Sequence, residues 1–222
     1  MVRLFSRLDI AVDYPPDQTC CGQPVFNSGF RGEAQKAARR FIEIFEFSKI
    51  IVCPSGSCVN MVRNHYPLLF ENEPAWRNRA AAIAAKTFEL TEFLVDVLEA
   101  DDVGAVFEGK VTYHESCHLL RGIGVSRQPR RLIENVKGTE FIEMQNADRC
   151  CGFGGAFSVK YADISTAILL EKITNIEATG AHVVVGCDMG CLMHIHGMLG
   201  NNGCPVRVMH IAELLAKKER RL

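Results

Sequence analysis

Arg149-Cys150-Cys151-Gly152-Phe153-Gly154-Gly155 sets two thiols side by side ahead of a glycine-rich turn. A disulfide between neighbouring cysteines closes a small, strained ring, and a plain core has little use for adjacent thiols. A metal centre does have a use for them, because thiolates suit zinc and iron–sulfur clusters. Gly152 lets the backbone bend with φ > 0 and approach such a centre closely. The same device stands earlier as Thr19-Cys20-Cys21-Gly22-Gln23-Pro24, and two copies in one chain make chance a poor explanation. Gly152-Phe153-Gly154-Gly155 follows a cysteine pair and lacks the spacing of a dinucleotide-binding fingerprint.

Outward from these triplets the chain alternates helical and extended patterns. Val2 to Leu8 reads as a helix running into a short strand at Ile10 to Val12. Arg31 to Phe47 reads as a helix with Ala34, Ala37, Ala38, Phe41, Ile44 and Phe45 on one face. Lys49 to Val52 is an apolar strand pattern that ends in Cys53-Pro54-Ser55-Gly56-Ser57-Cys58. Arg77 to Phe88 is an alanine-rich helix, and Thr91 is placed to cap another that runs to Leu98. Lys110 to Tyr113 is a strand feeding His114-Glu115-Ser116-Cys117-His118. A short helix (Pro129 to Val136), a strand (Glu140 to Met144) and an amphipathic helix from Ala162 to Ala178, ended by Gly180, follow. His182 to Val185 is a strand ending in Gly186-Cys187-Asp188-Met189-Gly190-Cys191, and a last helix covers Met209 to Lys217. This order predicts an α/β fold with mainly parallel sheet and cysteine loops at the carboxyl ends of strands, where ligands of such sheets sit.

The bulk numbers agree with a metal protein. The chain has 222 residues, 48% of them hydrophobic, which is ample for a packed core. With 25 basic and 26 acidic residues there is no basic field to suit nucleic acid. No apolar run approaches a membrane span, and the opening residues carry no secretory signal. The ten cysteines come as adjacent and near pairs instead of scattered staples, which points to a cytoplasmic metal protein and not a disulfide scaffold.

The two halves also match each other. Cys20 and Cys150 are 130 residues apart, and Cys58 and Cys191 are 133 apart. Each half runs through Cys-Cys-Gly, an amphipathic helix, an apolar strand and a cysteine loop. The expected division is residues 1–100 and 101–222. Cys117 lies 33 residues before Cys150, and its partner in the first half would fall ahead of Met1. The repeat therefore predicts a first half that is incomplete at its N-terminus, with Met1 inside a helix already under way.

Two copies of this pattern resemble the CCG (cysteine-rich) domain proteins, such as the cysteine-rich component of heterodisulfide reductase and the iron–sulfur components of glycolate oxidase and anaerobic glycerol-3-phosphate dehydrogenase. The chain is most similar to the lactate-utilisation group of stand-alone two-repeat proteins. The similarity rests on Thr19 to Gly29, Pro54 to Cys58, Tyr113 to Arg121, Cys150 to Tyr161 and Asp188 to Cys191. It implies up to two [4Fe-4S] clusters, one held by Cys117, Cys150, Cys151 and Cys191. The other would take Cys20, Cys21 and Cys58, with a fourth ligand upstream. It also implies an electron carrier in cytoplasmic oxidation of L-lactate or another 2-hydroxy acid. Its companions would be a second iron–sulfur protein and a third subunit. Heterodisulfide reductase carries a further cysteine where Ser55 and Asp188 stand, so its disulfide chemistry fits this chain poorly.

Several residues have two readings. Cys53 and Cys187 sit at strand ends beside the sites, as ligands or as buried free thiols. His114, His118 and Arg121 flank Cys117; they tune a cluster, bind a substrate carboxylate or act in chemistry, or else they cap and pack. Arg149 and Lys160 offset thiolate charge or are solvated. His194, His196 and Cys204 read as structural. Zinc as a substitute metal in a structural or interaction protein, and a component of a thiol–disulfide reductase, are the competing functions.

Overall fold

A computed structural model describes residues 1–218; residues 219–222, at the end of the second expected repeat, lie outside the described residues. In chain order, helix α1 (Val2–Arg7), a short helix α2 (Gln23–Asn27) and α3 (Arg31–Phe45) lead to strand β1 (Ile51–Cys53). Helix α4 (Gly56–Asn60) continues through a π-helical turn at Met61–His65 into α5 (Tyr66–Leu69). Next come α6 (Pro74–Ala85), β2 (Thr87–Glu89) and α7 (Leu90–Glu92), which runs on as a π-turn over Phe93–Val97. The second half holds β3 (Val106–His114), a π-turn at His118–Gly122, α8 (Arg127–Glu134) and β4 (Lys137–Phe141). It continues with α9 (Ala156–Lys160), α10 (Ala162–Ala178), β5 (Val183–Gly186), α11 (Met189–Asn201), β6 (Arg207–His210) and α12 (Ile211–Leu215).

Every strand pairing among the described residues is parallel, so the fold is α/β as the alternating pattern predicts. β1 pairs with β2, and the larger sheet runs β4-β3-β5-β6. Parallel strands covered on both faces read as continuous apolar runs, and β5 (Val-Val-Val-Gly) is one. Its residues alternate: Val183 and Val185 enter a core with α7, α8 and α12, while Val184 meets Leu169, Ile173 and Ile176 of α10 and Ile195 of α11. β1 alternates likewise, Ile51 packing with α3 and α5 and Val52 against the first of these cores.

The two sheets repeat a motif. Cys53, the last residue of β1, sits opposite Glu89, and Gly186, the last residue of β5, sits opposite His210; a helix follows each of these four strand ends. The packing ties the halves together, because Leu4 and Phe5 of α1 and Leu90, Phe93 and Leu94 share one core with β3, β5 and α12. We propose the division at residue 100 as one of sequence repeats; the central core itself crosses it.

Several expectations are corrected. Ile10 to Val12 forms no strand: it is largely solvent-facing and has no ladder partner. The helix after β2 is capped by Glu89 and not by Thr91. The Glu89 carboxylate accepts from the Thr91 and Glu92 amides while Glu92 reaches back to the Glu89 amide, a reciprocal capping box. The stretches after Cys53 and Cys187 turn straight into helices instead of running as open loops. The helices expected over Arg77 to Phe88 and Met209 to Lys217 are cut back to α6 and α12, because Thr87 and Phe88 belong to β2 and Met209 and His210 to β6; α2, α5, α9 and α11 were not anticipated either.

Candidate metal centre

The two Cys-Cys-Gly turns have the same local build. Gly22 and Gly152 take φ of +85° and +84°, where a side chain is disfavoured. Each donates its backbone N–H to the sulfur two residues back, Gly22 to Cys20 at 3.4 Å and Gly152 to Cys150 at 3.3 Å. A Cβ on Gly152 would lie 2.5 Å from the Ser165 carbonyl of α10, so this turn is also pressed against its helix. Cys58 and Cys191 sit in the first turns of α4 and α11, where the positive end of the helix favours a thiolate.

In the second half four of the expected cysteines come together. Cys117, Cys150, Cys151 and Cys191 lie close enough for neighbouring thiols to act on one another, Cys150 on Cys117, Cys151 on Cys150 and Cys191 on Cys151. Hydrogen bonds from Cys117 and Cys151 push the Cys150 thiol far below the usual thiol range. Contact with Cys151 lowers Cys191 to about 6 against the opposing effect of burial. In the first half Cys58 is hydrogen-bonded by Cys21 and then Cys53, which lower it to about 3. Cys20 lies close to Cys21, and all four thiols add to the effect of burial in raising Tyr66, whose hydroxyl donates to the Cys21 carbonyl at 2.8 Å. Each set thus contains neighbours that stabilise at least one ionised sulfur, Cys58 in the first and Cys150 and Cys191 in the second, the form a metal takes.

Cys53 joins the first set and Cys187 does not join the second. Cys187 shares strand phase with Val183 and Val185, so it is fully buried in the central core with its sulfur 3.7 Å from the Tyr113 hydroxyl. Burial raises its thiol. The position matching Cys53 is Gly186, one residue earlier.

His114-Glu115-Ser116-Cys117-His118 is divided residue by residue. His114 is buried with both ring nitrogens unpartnered, and its ligand atom lies with those of Cys151 and Cys191 within 4.8 Å of one another. Glu115 forms a buried ion pair with Arg130 at 2.7 Å. Ser116 donates to Asp188, whose other oxygen accepts from Ser55 Oγ at 2.8 Å and the Ser57 amide at 2.9 Å. His118 stands 3.8 Å from the Cys117 sulfur and 3.1 Å from Gln23 Nε2, beside the first Cys-Cys-Gly. His210 Nε2 reaches both the Pro54 and Cys187 carbonyls, at 3.0 and 3.2 Å. The two thiol sets are therefore knit together at the strand ends.

Arg121 is not drawn in: its exposed guanidinium meets Asp148. Arg149 pairs with Glu171, Lys160 is exposed, and His196 is on the surface. His194 packs beside Phe153 and meets Ser165. Cys204 is half-buried against the core of α10 and α11. Lys172 is the group that the pattern reading missed. It is 1% exposed, and its ammonium donates to the Asn146 and Ala147 carbonyls at 2.9 and 3.0 Å. Its spacing from Leu169 and Ile176 put it on the apolar face of α10, which was the available signal.

Soft thiol donors in two close groups, amides aimed at sulfur and a dry imidazole fit an iron–sulfur or zinc centre. No helix among the described residues is long and apolar enough to cross a membrane.

Residues 1–63 and 111–196 match the CCG cysteine-rich domain, and these ranges contain every cysteine of both sets. The chain is 50% identical over 214 residues to lactate utilization protein A of Bacillus subtilis (strain 168), covering 96% of this chain and 90% of that one. It is 48% identical over 215 residues to lactate utilization protein A of Lysinibacillus sphaericus (strain C3-41), covering 97% and 94%. For the Geobacillus sp. (strain WCH70) protein of the same name the identity is 49% over 214 residues, covering 96% and 90%. A family match over both cysteine regions and identity near one half along almost the whole chain agree with the geometry: this chain belongs to the CCG cysteine-rich domain family, in the group of lactate utilization protein A.

Proposed function

We propose that this chain is the iron–sulfur electron-transfer component of a cytoplasmic system that oxidises L-lactate, or a closely related 2-hydroxy acid, to pyruvate. The observation that carries the reading is the gathering of Cys20, Cys21, Cys53 and Cys58 in one set and Cys117, Cys150, Cys151 and Cys191 in another. The names of the relatives supply the direction toward lactate. The two sets would hold up to two [4Fe-4S] clusters, which when bound supply one-electron transfer.

The residues of this chain do the rest. Gly22 and Gly152 amides and the helix ends at Cys58 and Cys191 favour the ionised sulfurs. Lys172 places a buried cation behind the second set, where the Cys151 thiol is among its neighbours. Asp188, Ser55 and Ser116 fix the loops that carry both sets. The motifs of the chain include no dinucleotide fingerprint, so hydride removal is assigned to companions, a second iron–sulfur protein and a third subunit. Exposed Cys20 leaves an edge of the first set open to such a partner.

A structural zinc site is the second reading, favoured by the compact His114, Cys151 and Cys191 group, which is small enough for one ion. Disulfide reduction is less well supported, since Ser55 and Asp188 bond to each other and Cys187 faces Tyr113. Metal and sulfide analysis of anaerobically isolated protein tests the proposal. Iron with acid-labile sulfide, and a visible band bleached by dithionite, are expected. Zinc without sulfide overturns it.

A further inference from the structure

His114 ends β3 directly beside Gly186 of β5. Val111 and Tyr113 turn into the central core, so strand alternation sends Thr112 and His114 to the opposite face, toward α10 and α11. There the imidazole is 1% exposed with neither nitrogen partnered. A dry, unpartnered polar ring is costly to keep, and this one is kept within reach of the sulfurs of Cys151 and Cys191. Contact with His114 is one of the influences that lower the Cys191 thiol, after that of Cys151 and against burial.

We propose that His114 is a positioning residue that donates one ring N–H to the sulfur of Cys191 and thereby raises the reduction potential of the second centre. This rests on the iron–sulfur reading above. Cys117, Cys150, Cys151 and Cys191 already offer one sulfur to each iron of a four-iron cluster, so the imidazole acts on a ligand and is not a fifth ligand. A hydrogen bond withdraws charge from the thiolate and stabilises the more negative, reduced state. Gly186 keeps the neighbouring strand end free of a side chain; a Cβ there would crowd Leu192 at 3.0 Å.

The test uses anaerobically reconstituted full-length protein, wild type, His114→Phe and His114→Gln. Iron and sulfide are counted, potentials are measured by EPR-monitored titration, and the wild type is also made with 15N-labelled histidine for pulsed EPR. His114→Phe should keep its iron and show the second centre shifted to lower potential, with His114→Gln recovering part of the shift. Labelled wild type should show a weak histidine nitrogen coupling of hydrogen-bond size. An unchanged potential in His114→Phe, or no histidine coupling, overturns the proposal. Because His118 also stands 3.8 Å from the Cys117 sulfur, His114→Gln is labelled in the same way: the coupling should vanish there, its persistence overturns the proposal, and this comparison decides if His114→Phe fails to fold. A strong coupling of a directly bonded nitrogen that vanishes in labelled His114→Gln overturns it too, because His114 is then a ligand. Wild type that takes up no iron sinks the iron–sulfur reading itself, and this inference with it.

Discussion

Glu89 is a buried carboxyl at the end of β2, with one oxygen in the capping box and the other unpartnered. Burial raises it from 4.5 to about 7. The folded state therefore holds a proton that the unfolded chain gives up. This contribution is complete below pH 4.5 and is lost as pH rises toward 7, a span worth about 3 kcal/mol. In urea unfolding of the metal-free proteins, the thiols that both share titrate alike, so the stability of Glu89→Gln relative to wild type should rise across that window and leave the variant ahead at about pH 8. Parallel pH profiles for the two would contradict the assignment. Lys172→Met should cost about 1–3 kcal/mol, because the Asn146 and Ala147 carbonyls lose a buried donor. The same variant should lose iron faster to a chelator, since those carbonyls precede Cys150; unchanged unfolding and unchanged iron loss would count against the role. Cys53 and Cys187 show what was legible at this scale. Their distances to the next cysteine, five and four residues, differ by one, and one residue of strand phase exchanges the two faces. That difference placed Cys53 with its set and Cys187 in the core, but only once the strands themselves were fixed.

At the scale of elements, the two Cys-Cys-Gly turns look alike and are packed differently. A Cβ on Gly22 meets the side chain of Ala37 at 3.0 Å, whereas one on Gly152 meets the Ser165 carbonyl at 2.5 Å. Both substitutions to alanine incur the left-handed backbone penalty of about 1–2 kcal/mol. Gly152→Ala should cost clearly more in thermal unfolding than Gly22→Ala, and equal losses would show that α10 yields freely. Asp188→Ala should loosen both cysteine loops at once, since Ser55, Ser57 and Ser116 all bond to it. It should lower iron content in both sets, where a loss confined to one would limit Asp188 to that side. α3 and α10 were legible from their apolar spacing and α6 from its alanine content, although its expected end at Phe88 overran into β2. β2 and β6 were not: each is three or four residues long, ends in a polar residue, and is extended only because a neighbouring strand pairs with it. α11 carries glycines and histidines that mask its period, and Ile10 to Val12 had strand composition without a strand to join.

For the whole molecule, the central core binds α1 and α7 to the larger sheet, and Asp188 and His210 bridge the strand ends that carry the two thiol sets. The repeat was legible as spacing; the shared core was not, because contacts between α1 and the second half leave no periodic trace. Everything proposed for function depends on each thiol set holding its own iron–sulfur centre. The decisive measurement is iron and acid-labile sulfide per chain, compared anaerobically among wild type, Cys21→Ser, Cys151→Ser and the double variant. Each single variant should lose about half of the iron and sulfide, and the double variant nearly all of both. Full iron in either single variant, or stoichiometric zinc with no sulfide in the wild type, would contradict two separate iron–sulfur centres.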